Sequence, residues 1–121
     1  MNKDILKIKE LSYRIGKDLS LIQASGGNTS IKVEEVMWVK ASGKQLKNAF
    51  NENIFVAVDF NKIRKQLAIN KSNRDIKFSN ICGANLRPSI ETSLHAVMPN
   101  KVVIHTHAVD VIAITLLNDS L

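Results

Sequence analysis

Two short strand-like segments separated by only two residues constrain the fold of this chain more than any other feature. Residues Thr29–Val33 alternate in polarity, residues Val36–Val39 are mostly apolar, and Glu34–Glu35 lies between them. Such a pair predicts an antiparallel β-hairpin, because parallel strands need a crossover of a dozen or more residues. The hairpin argues against a purely parallel sheet, and we expect a mixed or antiparallel one.

Helical and strand-like patterns alternate along the rest of the chain. Apolar residues in 4–19 recur at steps of three and four, which predicts an amphipathic helix burying Ile5, Ile8, Leu11, Ile15 and Leu19. A strand over Ile54–Val58 is followed by a short helix that Asp59 can cap and that carries Ile63 and Leu67. This alternation predicts an α/β sandwich in which helices pack on a sheet.

The C-terminal third continues the alternation after a long irregular segment. Residues 70–87 show no period and are expected to form a loop. Pro88–Val97 is predicted to be a helix whose apolar face is Ile90, Leu94 and Val97. Val102–Thr106 is predicted to be a buried strand, and Ala108–Leu117 a second apolar helix.

Size and composition favour one soluble, cytoplasmic domain over 1–121. No apolar run in the 121 residues reaches the roughly 18 needed to span a bilayer, and residues 1–4 show no signal core. The lone Cys82 fits a reducing compartment, and we expect a small buried or half-buried residue rather than a reactive thiol. The net charge of +6 is spread along the chain, so we predict neither a nucleic-acid nor a membrane partner.

The segment Val102–His107 carries the strongest chemical signal, with histidines at 105 and 107. Residues i and i+2 of a strand share a face, so both imidazoles can point into one pocket at the strand's end. Catalytic zinc sites use histidine nitrogens and leave a position open for substrate. The alternative is a pair of histidines that pack in the core or lie at the surface.

Glu91 is the candidate catalytic carboxylate, because the helix that carries it leads directly into the histidine strand. A carboxylate beside a metal-bound carbonyl can act as a general base. The alternative is an exposed helical glutamate. His95 follows at i+4 and could be a further ligand, although a surface or packing role is the more usual one for such a histidine.

Two glycine turns, Ser25–Ser30 and Ala41–Lys44, are candidate anion-binding loops. Glycine lets backbone N–H groups approach an anion, and serine and threonine hydroxyls add donors. Neither turn carries a Walker or dinucleotide-binding pattern, so each alone is a weak signal.

Taken in order, four motifs resemble the class II aldolase/adducin family. They are Gly27-Asn28-Thr29-Ser30, Ala41-Ser42-Gly43, Pro88-Ser89-Ile90-Glu91 and His105-Thr106-His107. The stretch 87–117 is similar to the aldolase half of bifunctional aldolase/short-chain dehydrogenase proteins. The resemblance implies a three-layer α/β/α sandwich around a largely antiparallel sheet, in a homo-oligomeric enzyme.

The resemblance also implies a zinc-dependent sugar-phosphate aldolase that releases dihydroxyacetone phosphate and an aldehyde. His105 and His107 would bind Zn²⁺ and Glu91 would be the acid/base. The substrate phosphate would be held by Asn28, Ser42, Gly43 and Ser89. Alternatives on the same scaffold are a non-catalytic adducin-like module, an inactive truncated homologue, or a related epimerase or dehydratase.

Two departures from the family pattern bear on these expectations. The family's phosphate motif often has two serines before the glutamate, and here the second position is Ile90. The family's third metal-binding histidine lies further along the chain than Leu121, so we expect a domain truncated at its C-terminus.

Overall fold

The computed structural model describes residues 2–69 and 85–117. Most of the predicted 70–87 loop, together with Cys82, therefore lies outside the described residues. Residues 85–87 belong to no helix or strand.

Four antiparallel strands form the described sheet, in the order β3-β2-β1-β4. The predicted hairpin is confirmed, because β1 and β2 pair up to Val33 and Val36 around the two-residue turn. Strand bounds are β1 Asn28–Val33, β2 Val36–Lys40, β3 Phe55–Asp59 and β4 Val102–His105.

Helices cover both faces of this sheet, which confirms the three-layer α/β/α arrangement. Helix α1 (Lys3–Gly16) and a 3₁₀ turn (Leu46–Asn48) lie on one face, and α2 (Phe60–Ile69) and α3 (Thr92–Val97) lie on the other. Helix α4 (Val109–Leu116) follows β4. None of the described helices is long and apolar enough to cross a membrane.

Local capping explains where the first two helices begin. The Asn2 side chain accepts a hydrogen bond from the Asp4 amide at 2.9 Å, and Asp59 accepts one from the Lys62 amide at 3.0 Å, as predicted for α2. Helix α1 ends at Gly16, before the predicted end of the amphipathic pattern, so Leu19 lies outside it and is 76% exposed.

Strand alternation divides the core into two apolar clusters, one on each face of the sheet. The first, under α2 and α3, contains Met37, Val39, Ala41, Val56, Val58, Phe60, Ile63 and Ala96. The second, under α1, contains Ile8, Ile22, Ile31, Leu46, Ala49, Ile54 and Phe55. Both clusters hold β-branched side chains that pack well on a pleated surface.

Helix α3 corrects the predicted apolar face. Pro88 does not begin the helix but pairs with Ala41 in an isolated bridge, and the helix begins at Thr92. The predicted face of Ile90, Leu94 and Val97 is exposed, whereas Thr92, Ser93, His95 and Ala96 are buried. The polar face of α3 is buried instead of the apolar one because β1 presents polar side chains to this helix, and buried polar groups require hydrogen-bonding partners.

Strand β4 and helix α4 also differ from the prediction. The strand ends at His105 rather than Thr106, and Val103 is its buried residue, with Val102 and Ile104 exposed. No residue of α4 is buried. Strand β4 is an edge strand of the described sheet, so its apolar side chains pack against less of the chain than those of a central strand do.

Candidate active site

The antiparallel register gathers the sequence motifs at one end of the sheet. Strand β1 begins at Asn28, which pairs with His105 at the end of β4. On the other side of β1, Ser30 pairs with Val39, so the end of β2 and the following glycine turn lie near the start of β1. Three motifs far apart in sequence therefore meet at this sheet end.

Glu91, His105 and His107 form the centre of the site. Each of the three side chains offers one atom that could bind a metal, and these three atoms lie within 4.8 Å of one another. All three side chains are half-buried. Nδ1 of His105 lies 2.8 Å from Oε2 of Glu91. The two imidazole rings are 4.8 Å apart between centroids and meet edge to face. The structure thus brings together the three residues expected to carry the chemistry.

Glu91 reaches the histidines because it precedes α3 as its N-cap residue. Its side chain makes no capping hydrogen bond, and its backbone amide lies 3.3 Å from Oγ of Ser89. The carboxylate instead accepts a hydrogen bond from the Asn28 side-chain amide as well as facing His105. Strand β1 and strand β4 therefore both contribute a partner to the same carboxylate oxygen.

Contacts with residues 21–26, rather than strand alternation, fix the position of His107. It lies beyond β4, where its backbone amide donates to the Leu21 carbonyl at 2.7 Å and its carbonyl accepts from the Gln23 side chain at 3.2 Å. A Cβ on Gly26 would come within 3.0 Å of the His107 ring. The first glycine turn therefore makes room for the imidazole.

The four residues expected to hold a phosphate lie in two kinds of surroundings. Ser42 and Gly43 are exposed, and Gly43 has a φ of +78° with open space where a Cβ would point. Asn28 and Ser89 are buried and contact Glu91. The Ser42 amide donates to the Arg87 carbonyl at 2.8 Å, which places the second glycine turn beside the segment leading to Ser89.

Lys40 is a site residue that the sequence analysis did not single out. It is 2% exposed, and its ammonium group donates to the carbonyls of Ser25 at 2.8 Å and Lys44 at 2.6 Å. One buried cation thus links the two glycine turns. Desolvation lowers the pKa of Lys40, and the nearby carboxylate of Glu91 opposes that shift. The sequence signal for this role is the position of the lysine at the end of an otherwise apolar strand.

His95 is neither a surface residue nor part of the three-residue cluster. It is fully buried, and its Nδ1 shares a 2.6 Å hydrogen bond with the hydroxyl of Ser30. Burial lowers the pKa of His95 to about 4, with the Glu91 carboxylate opposing the shift. The ring is therefore neutral at pH 7. Its Nε2 and the Oδ1 of Asn28 are buried without a partner among the described residues.

The donor set at the centre fits a zinc ion by its chemistry. Two imidazoles and one carboxylate are a known catalytic zinc set, and such sites leave a further position for substrate. Oε2 of Glu91 lies 2.8 Å from Nδ1 of His105, so the carboxylate lies beside the position that an ion held by the two imidazoles would take.

Comparison with known proteins identifies a family to which the chain is similar. The sequence model of the "Class II Aldolase and Adducin N-terminal domain" family matches residues 8–121. A Bacillus subtilis (strain 168) protein named "Uncharacterized oxidoreductase YuxG" is 36% identical over 124 aligned residues, which cover 88% of this chain and 18% of that protein. The chain therefore spans less than a fifth of that relative.

A solved structure shares the architecture. It is the N-terminal class II aldolase domain of a conserved protein from Thermoplasma acidophilum, with a TM-score of 0.73 and 28% sequence identity. The match covers 95% of this chain and 60% of that one.

Proposed function

The chain belongs to the class II aldolase and adducin N-terminal domain family, and from that premise we propose that it forms the metal-binding part of a zinc-dependent sugar-phosphate aldolase. The observation that carries the proposal is the convergence of Glu91, His105 and His107 within 4.8 Å at one end of the sheet. A purely structural module has no need for two histidines and a carboxylate at such short separations.

In this proposal His105 and His107 hold the zinc ion, which when bound polarises the substrate carbonyl and stabilises the negative charge that develops on its oxygen. Glu91 moves the proton. In cleavage, the hydroxyl beside the breaking carbon–carbon bond loses its proton as the aldehyde forms, and the carboxyl group of Glu91 delivers a proton to the new carbon centre of dihydroxyacetone phosphate, so that no net proton is taken up. The same carboxylate removes that proton in the direction of synthesis.

The substrate phosphate is assigned to Asn28, Ser42, Gly43 and Ser89. Supporting this are the exposed turn at Ser42 and Gly43 and the buried Lys40, which adds positive charge nearby. A nearby cation favours an anion, and Ser42 and Ser89 each offer a hydroxyl donor. The contact between Asn28 and Glu91 couples the phosphate and the acid/base parts of the site.

The test is to measure bound zinc in the purified chain and the release of dihydroxyacetone phosphate from ketose 1-phosphates. We expect about one zinc per chain and cleavage. His105→Ala should lose the zinc and keep the fold, whereas Thr106→Ala, which alters the residue between the two histidines, should retain both. A full complement of zinc in His105→Ala would remove His105 from the metal site.

Other outcomes distinguish the alternative functions. A folded chain that binds no metal would favour an adducin-like module or an inactive homologue. Metal binding with conversion of a sugar phosphate but no dihydroxyacetone phosphate would favour an epimerase or a dehydratase. The oxidoreductase name of the Bacillus relative belongs to a protein more than five times as long as the matched stretch, so it does not bear on this site alone.

A further inference from the structure

We propose that Ser30 and His95 are positioning residues that set the register of helix α3 on strand β1 and so hold Glu91 against His105. The inference rests on the proposed function only for the chemical role of Glu91. Two parallel side-chain links carry it. Asn28 donates to Oε2 of Glu91, and the hydroxyl of Ser30 shares a 2.6 Å hydrogen bond with Nδ1 of His95.

The spacing of the two links matches the geometry of the two elements. Asn28 and Ser30 are two residues apart on a strand, a distance of about 6.6 to 6.8 Å along its axis. Glu91 and His95 are four residues apart along the start of a helix, a rise of about 6 Å. Both links can therefore form together at one register, and a shift of one residue along either element breaks both.

Helix α3 depends on these polar contacts more than an ordinary helix does. It has six residues, and its apolar side chains Leu94 and Val97 are exposed, leaving Ala96 as its member of the apolar core. Ser30 and His95 are both fully buried. A hydrogen bond lost in such a place leaves a buried polar atom without a partner, which is costly.

A third contact ties the end of the same helix to the same strand. Nζ of Lys32 donates to the His95 carbonyl at 2.8 Å and to the Asn100 carbonyl at 3.0 Å. Asn28, Ser30 and Lys32 thus form one polar face of β1 that is directed at α3. Removing the central link through Ser30 takes away the buried contact that fixes this register, and we expect the Glu91 carboxylate to move away from His105.

The test compares Ser30→Ala with a matched control on the opposite face of the same strand. There the hydroxyls of Ser12 and Thr29 share a buried 2.7 Å hydrogen bond between α1 and β1, so Ser12→Ala removes a contact of the same kind. Nitrogen-15 NMR of the imidazole rings, in the metal-free full chain, reports the surroundings of each histidine separately.

We expect Ser30→Ala to change the ring-nitrogen signals of His95 directly and those of His105 indirectly. Ser12→Ala should leave the His105 signals as in the wild type, and Ser30→Thr, which retains a hydroxyl, should restore them. His95→Phe removes the same link from the helix side and should also change His105, which keeps the test available if Ser30→Ala does not fold.

His105 signals that stay unchanged when the link is removed would overturn the proposal, whatever the activity. If the wild type cleaves sugar phosphates, Ser30→Ala should also lower kcat by about 10- to 100-fold with little change in KM, the usual effect of losing a group that orients an active-site residue. If the wild type cleaves none, the proposed function fails and the NMR comparison still decides the positioning role.

Discussion

Oε2 of Glu91 lies 2.8 Å from Nδ1 of His105, although the two residues are 14 positions apart and belong to different secondary-structure elements. The same oxygen accepts a hydrogen bond from Asn28 on a third element. This carboxylate is therefore the point at which β1, β4 and the start of α3 meet. Changes to it, and to the residues that fix its surroundings, provide direct tests of the site.

Glu91→Gln should retain zinc and lose aldol cleavage. The amide keeps the size of the side chain and a hydrogen-bonding atom toward His105, but it cannot accept and return a proton. Positioned acid/base groups contribute about 100- to 10,000-fold to rates, so kcat should fall by that order. The measurement is steady-state cleavage together with zinc content, and wild-type kcat in this variant would remove Glu91 from the mechanism.

Gly26→Ala should weaken metal binding through His107. The added Cβ would lie 3.0 Å from Nδ1 of the His107 ring, closer than such atoms normally pack. A displaced ligand should lower zinc affinity by about tenfold or more. The control is Gly43→Ala, where φ is +78° and the Cβ meets open space, so backbone strain should lower stability without changing zinc affinity.

Equal zinc affinities in the two glycine variants, measured by competition with a chromophoric chelator, would mean that the first turn does not determine the position of His107. If Gly26→Ala folds normally and binds zinc with wild-type affinity, then the packing of His107 against this turn does not determine its binding of the metal.

Lys40→Met should raise the KM for sugar phosphates, because the two glycine turns lose the cation that links them through the Ser25 and Lys44 carbonyls. The matched control is Lys32→Met. Lys32 is also buried and also donates to two carbonyls, but on the side of β1 facing α3. Both variants should lose about 1 to 3 kcal/mol of unfolding free energy, as expected when buried acceptors lose a donor.

The comparison of KM separates a role at the glycine turns from general stability. A rise of KM in Lys40→Met alone is expected, and equal KM values in both lysine variants would contradict a role for Lys40 in organising the turns.

Acid should destabilise the protein through His95. Its pKa in the folded state is about 4, below the ordinary value of 6.5, so the folded state resists a proton that the unfolded state accepts. The contribution to stability is complete above about pH 6.5 and is lost as the pH falls toward 4, by about 3 kcal/mol. Urea unfolding at a series of pH values should show this loss in the wild type.

His95→Gln is the control for that titration, because it removes the ionisable ring and retains a polar side chain. Its unfolding free energy should fall less steeply between pH 6.5 and 4 than that of the wild type. Identical pH dependence in the two proteins would show that His95 does not remain neutral in the folded state.

Much of the fold follows from local patterns in the sequence. The two-residue gap at Glu34–Glu35 predicts the hairpin, the steps of three and four predict α1, and Asp59 predicts the cap of α2. These features depend on side-chain periodicity and backbone hydrogen bonding within a few residues, which a sequence displays directly. The order of the four motifs likewise indicates the family.

Tertiary structure alone decided which face of α3 is buried and how the site is assembled. The apolar pattern favours burial of Leu94, but the polar face of β1 selects His95 instead, because hydrogen-bonding groups inside a protein need partners. Similarly, His107 reaches the site through its contact with Leu21 rather than by strand alternation, and Lys40 joins two turns that are separate in sequence. Each of these outcomes depends on pairing between distant segments, which the local sequence pattern does not record.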